Sequence, residues 1–188
     1  MPELPEVETV KNGLQELCGT TLKAVIVRFP RLRYPLDSSQ LNQEVGSKIL
    51  EVSRRAKYVI IHLERGYLLI HLGMSGRITL LKQKTLLQKH DHLDILCDDF
   101  IVRYNDPRRF GCILWLDQDN QSKLIDTLGP EPLSEDFNAT YLLEKLNKKN
   151  VGIKIALMDN HVVVGVGNIY ATESLFNIGV HPAQPAST

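Results

Sequence analysis

Val7, Val10, Leu14 and Leu17 recur at helical spacing, with Pro2 and Pro5 only at the entry, where a missing N–H costs nothing. The pattern predicts an amphipathic helix over Glu3 to Leu17. Short β-rich runs follow at Thr21 to Phe29, Lys48 to Val52, Lys57 to Leu63, Tyr67 to Leu72, Arg77 to Leu81, His92 to Cys97, Phe100 to Tyr104 and Cys112 to Leu116. Short strands separated by glycine or charged turns predict an antiparallel sandwich rather than a parallel, helix-alternating sheet. Past residue 120 the spacing turns helical: Gln121 to Leu128 closed by Gly129, Asn138 to Lys148, Val151 to Met158, and Asn168 to Ile178 closed by Gly179. The fold class is therefore α+β, a two-layer antiparallel β-sandwich with an N-terminal helix followed by a helical segment. Gly129-Pro130-Glu131-Pro132 punctuates the switch, so the expected domains are 1–129 and 130–188. The last helices have little partner surface for their apolar faces, and the chain is expected to stop short of its natural domain.

Composition narrows the function classes. The chain has 188 residues, 43% hydrophobic, with 22 Lys plus Arg against 22 Asp plus Glu. A formal net charge of +0 means that any anion binding must be local. The longest apolar stretches are strand-sized, well short of the roughly 20 residues of a membrane helix. The opening Met1-Pro2-Glu3-Leu4-Pro5-Glu6 lacks a basic region and an apolar signal core, so a cytoplasmic location is expected. Cys18, Cys97 and Cys112 are widely separated and form no Cys-x-x-Cys pair, which predicts reduced thiols and no zinc site.

Five groups of residues carry possible chemistry. With Met1 removed, Pro2 would present a secondary amine, partly neutral at pH 7 because an α-amino group titrates near about 8. Such an amine attacking a sugar carbon gives an iminium, an electron sink for elimination, with the Glu3 carboxyl placed as general acid. The alternative is that proline and glutamates merely start a helix. Ser53-Arg54-Arg55-Ala56-Lys57 leads into a strand that could hold an ammonium against a phosphate, or is a solvated basic turn. Gly73-Met74-Ser75-Gly76 and Asp106-Pro107-Arg108-Arg109-Phe110-Gly111 are turns with bulky side chains beside arginines, suited to unstacking a base pair and filling the vacancy. Otherwise Phe110 is core and Met74 fills a gap. Val164-Gly165-Val166-Gly167-Asn168 opens a helix at which backbone N–H groups can meet an anion, with Asn168 as cap or phosphate contact and Lys148 and Lys149 upstream. Tyr170 stands where a dinucleotide fingerprint needs glycine, which excludes a nicotinamide site. In His90-Asp91-His92 the two histidines would share a strand face without a third metal ligand, or His90 would touch phosphate.

Taken together, these stretches closely resemble the formamidopyrimidine-DNA glycosylases, bacterial base-excision enzymes for oxidised purines. The resemblance runs in order through the residue 1–9 segment, Arg54 to Tyr58, His71 to Gly76, Lys89 to His92, Asp106 to Gly111, Leu128 to Leu133 and Val164 to Ala171. It implies a β-sandwich domain followed by the first part of a helix-two-turns-helix DNA-binding domain. It also implies Pro2 as the nucleophile forming a Schiff base at the anomeric carbon, Glu3 as general acid, Glu6 in support and Lys57 on the phosphate beside the lesion. Met74, Arg108 and Phe110 would fill the gap left by the extruded nucleotide, with Arg108 reading the opposite cytosine. His90, Arg109, Lys149, Asn150 and Asn168 would grip the backbone; relatives often have lysine where Asn150 stands. The reaction would be base release followed by β- and δ-elimination, without a redox or nucleotide cofactor. The partner would be duplex DNA with oxidised purines or abasic sites, and the chain is expected to be a monomer. The family continues into a four-cysteine zinc finger, so structural zinc is expected of its full-length members and no metal of this chain. The neutral charge fits loss of a basic C-terminal portion. A DNA-binding or vestigial fragment, and a sister glycosylase for oxidised pyrimidines, remain as alternatives.

Overall fold

The computed structural model describes residues 1–117 and 123–188. They fall into two compact units, Met1–Ser122 and Lys123–Thr188. In the first unit the predicted N-terminal helix is α1, Leu4–Gly13, followed by a separate 3-10 turn over Gln15–Leu17. Gly13 explains the break, since glycine costs a helix about 1 kcal/mol, and Leu14 turns its N–H to both Val10 and Lys11 carbonyls. Leu14 and Leu17 nevertheless reach the core, as their spacing foretold.

All eight predicted strands form, with shifted ends: β1 Leu22–Val27, β2 Ile49–Arg55, β3 Tyr58–Leu63, β4 Gly66–His71, β5 Arg77–Leu81, β6 Asp91–Cys97, β7 Ile101–Asn105 and β8 Cys112–Asp117. They build two four-stranded antiparallel sheets ordered β1-β6-β7-β5 and β2-β3-β4-β8. Both layers feed one core, with Leu22, Val25, Leu93, Ile95 and Val102 from the first sheet and Val59, Ile61, Leu68, Ile70 and Trp115 from the second. A short helix that the pattern did not reveal, α2 at Ser38–Asn42, is capped by the Asp37 carboxylate, which accepts from the Ser39 and Gln40 N–H groups. Only Leu41 of that helix is buried, which is too little periodicity to read.

The first sheet buries a charged cluster of Asp91, Asp94 and Arg103. Asp94 on β6 lies opposite Arg103 on β7 and accepts from its Nε at 2.9 Å and Nη2 at 2.8 Å, and from Arg28 Nη2 at 2.6 Å. Burial alone would raise this carboxyl, but the bonds from Arg103 and Arg28 outweigh it and hold the pKa below the usual carboxylate range.

The helical unit contains α3 Lys123–Asp126, α4 Ala139–Leu146, α5 Ile153–Leu157 and α6 Asn168–Asn177. The predicted helix from Gln121 begins outside the described residues. Asn138 caps α4 by accepting from the Tyr141 N–H, and Gly179, at φ 68°, ends the turn after α6 in the left-handed region. The C-terminal residues run along α5, where the Ile153 and Ala186 N–H groups donate to the Gln184 and Val151 carbonyls. Ile155, Ile169, Phe176 and Ile178 stay exposed. No helix among the described residues is long and apolar enough to cross a membrane.

Candidate active site and nucleic-acid interface

Pro2 and Glu3 lie just ahead of α1, with Glu3 as its N-cap. The Glu3 N–H donates to Glu6 Oε2 at 2.9 Å and the Glu3 side chain accepts from the Glu6 N–H, a capping box, so both glutamates do the helix-start work of the alternative reading. Glu3 itself is only 3% exposed, a burial that helix capping does not require. The salt bridge from Arg54 Nε to Glu8 Oε2, 2.7 Å, ties α1 to β2 and so fixes the helix start against the β2–β3 turn.

That turn is Ala56-Lys57. Ala56 sits at φ 54°, in the left-handed region that costs a β-carbon residue about 1–2 kcal/mol, and Lys57 is only 6% exposed. A solvated basic turn is therefore wrong for Lys57. Burial lowers its ammonium pKa, and the nearby Glu3 charge pulls partly the other way. The structure thus brings Glu3 and Lys57, far apart in sequence, into electrostatic contact.

His71 also belongs here, although no sequence pattern singled it out. At the end of β4 it lies opposite Tyr58, with the rings 4.9 Å apart, and Nδ1 accepts from the Gly73 N–H at 3.0 Å. The proton of the neutral ring must then be on Nε2. Burial, reinforced by the Arg33 and Lys57 charges, lowers its pKa to about 4. A histidine two residues before a glycine turn was the available signal; its cationic surroundings come from two other segments, those of Arg33 and Lys57.

The two bulky-tipped turns meet at their backbones. Gly73 has φ 63°, and a β-carbon on it would lie 2.5 Å from both Gly111 N and Phe110 C, so only glycine permits the approach. Met74 is 44% and Phe110 48% exposed, which overturns the reading of both as core filler. The Arg108 guanidinium lies 4.7 Å from the Phe110 ring centre, and Arg109, at φ 57°, lies 4.8 Å from that of Phe29. Cation–π attraction orders both arginines at the surface. His90 lies in the turn before β6 at φ 74°, not on the strand, whereas His92 is buried and its Nε2 donates to the Asp106 carbonyl at 2.8 Å. The two histidines therefore do not share a strand face.

The remaining predicted residues belong to the helical unit. Lys149 follows α4 and its ammonium is paired with Asp159 at 2.7 Å; Asn150 beside it is exposed. Asn168 is the first residue of α6, and Gly167 is the cap, which corrects the capping role given to the asparagine. Gly165 at φ 81° shapes the preceding loop. Among the described residues no group of three or more His, Cys, Asp or Glu side chains could hold a metal ion. Cys97 and Cys112 are buried thiols whose pKa burial raises, Cys97 to about 11, so they do not fit a zinc site.

Fold and site define a two-unit α+β protein, a β-sandwich with an ionisable cluster at its first helix and an exposed arginine and apolar loop pair, followed by a small helical unit. Residues 1–113 match the family model for the formamidopyrimidine-DNA glycosylase N-terminal domain, and residues 128–188 that for the formamidopyrimidine-DNA glycosylase H2TH domain. The chain belongs to the formamidopyrimidine-DNA glycosylase family. It is 59% identical over 186 residues to the formamidopyrimidine-DNA glycosylase of Acinetobacter baumannii, covering 99% of this chain and 68% of that protein. Against that of Acinetobacter baylyi it is 58% identical over 189 residues, 100% and 69% of the two chains. The Lactococcus lactis enzyme bound non-covalently to DNA containing an abasic site superposes with a TM-score of 0.90 at 34% identity, covering 98% of this chain and 73% of that one. MutM in complex with DNA containing carbocyclic 8-oxoguanine gives a TM-score of 0.90 at 34% identity, covering 99% and 71%.

Proposed function

We propose that this protein is a base-excision repair enzyme that removes oxidised purines from duplex DNA and then cuts the strand at the resulting abasic site. The observation that carries the proposal is the buried Glu3 beside the buried Lys57 at the start of α1, directly after Pro2. With Met1 removed, the Pro2 amine attacks C1′ of the damaged nucleotide while Glu3 delivers a proton to the opening sugar ring. The base departs and an iminium joins Pro2 to C1′. That iminium draws electrons as the C2′ proton is lost and the C3′–O bond breaks, and then as the C4′ proton is lost and the C5′–O bond breaks, a phosphate leaving each time; hydrolysis frees the amine. Lys57 holds the phosphate next to the lesion. Arg109 and His90 from the sandwich unit, and Lys149, Asn150 and Asn168 from the helical unit, bind the DNA backbone. Met74, Arg108 and Phe110 enter the space vacated by the extruded nucleotide, and the arginine meets the opposite cytosine. The solved complexes of similar proteins with abasic-site and carbocyclic 8-oxoguanine DNA support this choice of substrate.

The test is incision of a labelled duplex carrying 8-oxoguanine opposite cytosine by the 188-residue chain with mature Pro2. The proposal expects a one-nucleotide gap with phosphate on both ends. Absence of cutting on this duplex and on an abasic duplex would overturn it.

A further inference from the structure

The steps above leave Asp106 unused, yet it is the most completely buried charged residue of the described sandwich unit, with 0% exposure. Oδ1 accepts from the Ser75 hydroxyl at 2.5 Å and the Arg108 N–H at 3.3 Å. Oδ2 accepts from the Gly111 N–H at 2.9 Å and the Tyr104 phenol at 3.2 Å. The backbone adds three ties: its N–H donates to the His90 carbonyl at 3.1 Å, and its carbonyl accepts from His92 Nε2 and, at 3.3 Å, from the Arg109 N–H. One residue is therefore bonded to the Met74 turn, to both ends of the Arg108 to Phe110 turn and to the turn that presents His90.

The arrangement is closed to substitutes. Burial, and then the Asp106 charge, raise the Tyr104 phenol far above its ordinary range, so it remains a donor. A β-carbon at Gly111 would lie 1.8 Å from the Tyr104 hydroxyl, and one at Gly76 2.8 Å from it. His90 and Arg109, neither a glycine, both have left-handed φ, a conformation that persists only when the surroundings over-determine it.

We infer that Asp106 is a positioning residue: it holds Met74, Arg108 and Phe110 in the joint arrangement that fills the gap in duplex DNA. This rests on the function proposed above. Four donors converge on two carboxylate oxygens, whereas a carboxamide offers one acceptor and two donors. Asp106→Asn therefore either sets its Nδ2 against the buried Gly111 N–H or leaves the Arg108 N–H with only the Ser75 hydroxyl, 3.1 Å away, and in both cases loosens one turn from the other.

The experiment compares the wild-type chain, Asp106→Asn and Ser75→Ala on a duplex with an abasic-site analogue opposite 2-aminopurine, whose fluorescence rises when the base is unstacked. Borohydride trapping on a single-stranded abasic oligonucleotide, which has no opposite strand to wedge, is the second readout. Asp106→Asn is expected to weaken duplex binding by about tenfold or more and to suppress most of the fluorescence rise, while single-strand trapping falls several-fold less. Ser75→Ala, which removes the hydroxyl that donates to Asp106 and accepts from the Arg108 N–H and so unties the Met74 turn from both, should weaken duplex binding by about threefold with its melting temperature within about 2 °C of wild type. A folded Asp106→Asn with unaltered binding and fluorescence overturns the inference, as do equal losses on both substrates. If Asp106→Asn does not fold, Ser75→Ala with wild-type fluorescence overturns it. A wild-type chain that traps abasic DNA while the variants behave like it refutes the positioning role alone. A wild-type chain that neither binds nor traps removes the inference together with the function beneath it.

Discussion

His71→Asn tests the electrostatics of the site without touching the Pro2 amine. The Asn Oδ1 occupies nearly the place of the His Nδ1, so it keeps the acceptor for the Gly73 N–H while removing the titrating ring. In the folded chain the ring titrates at about 4 instead of 6.5, first because it is buried and then because Arg33 and Lys57 face it. Between those two pH values the unfolded chain holds the extra proton, so folding stability falls as pH drops through the window and levels off below it. At about 1.4 kcal/mol per tenfold change in proton affinity, the whole loss is about 3 kcal/mol. Groups that titrate in both proteins, Asp94 among them, cancel in the comparison. Trp115 is the single tryptophan, buried on β8, and its fluorescence reports the sandwich unit in urea titrations. The stability difference between wild type and variant should move by about 3 kcal/mol in favour of the variant from pH 7 to pH 4. Parallel curves, within about 0.5 kcal/mol across that range, would refute the reasoning.

Two further substitutions probe the frame and the chemistry. Asp94→Asn removes the charge that Arg28 and Arg103 share, leaving Arg103 its longer pair with Asp91 at 3.7 Å, and should destabilise the sandwich unit by about 3 kcal/mol at pH 7. Because the folded carboxyl is held below its ordinary pKa of 3.8, this contribution is fully present above that value, and the gap between the urea midpoints of wild type and variant should narrow as pH falls below it. Glu3→Gln should lower release of 8-oxoguanine by about 100-fold, the lower end for general acid catalysis, yet lower cutting of a preformed abasic site much less. Equal losses in gel assays of the two substrates would refute the proton-donor role.

The core strands were legible because each layer buries one continuous core, which leaves largely apolar runs in β3, β4 and β8, whereas β1 and β2 bury only every third residue and are marked by their β-branched and apolar residues. The ends were less so: Gly13 breaks the first helix although Leu14 and Leu17 keep its spacing, and α2 buries only Leu41. Of the site, Pro2, Glu3, Lys57 and the two exposed turns could be picked out by residue type and by resemblance. His71 and Asp106 could not, because their meaning lies in partners from other segments: Arg33 and Lys57 for the histidine, Ser75, Tyr104 and Gly111 for the aspartate. Nor could the sequence distinguish a solvated Lys57 from a buried one, which depends on the left-handed Ala56 turning it inward. In the helical unit, the Lys149–Asp159 pair spans the α4 and α5 segment and had no local signature.

The central claim is that the Pro2 amine forms a covalent iminium with the sugar of damaged DNA. Borohydride trapping of the mature chain on two duplexes, one with 8-oxoguanine opposite cytosine and one with an abasic site, followed by peptide mass mapping, tests it most directly. The account predicts an adduct on both, mapped to Pro2. An adduct mapped to Lys57 or another lysine, or none on either duplex with the Pro2 amine confirmed free, would contradict it.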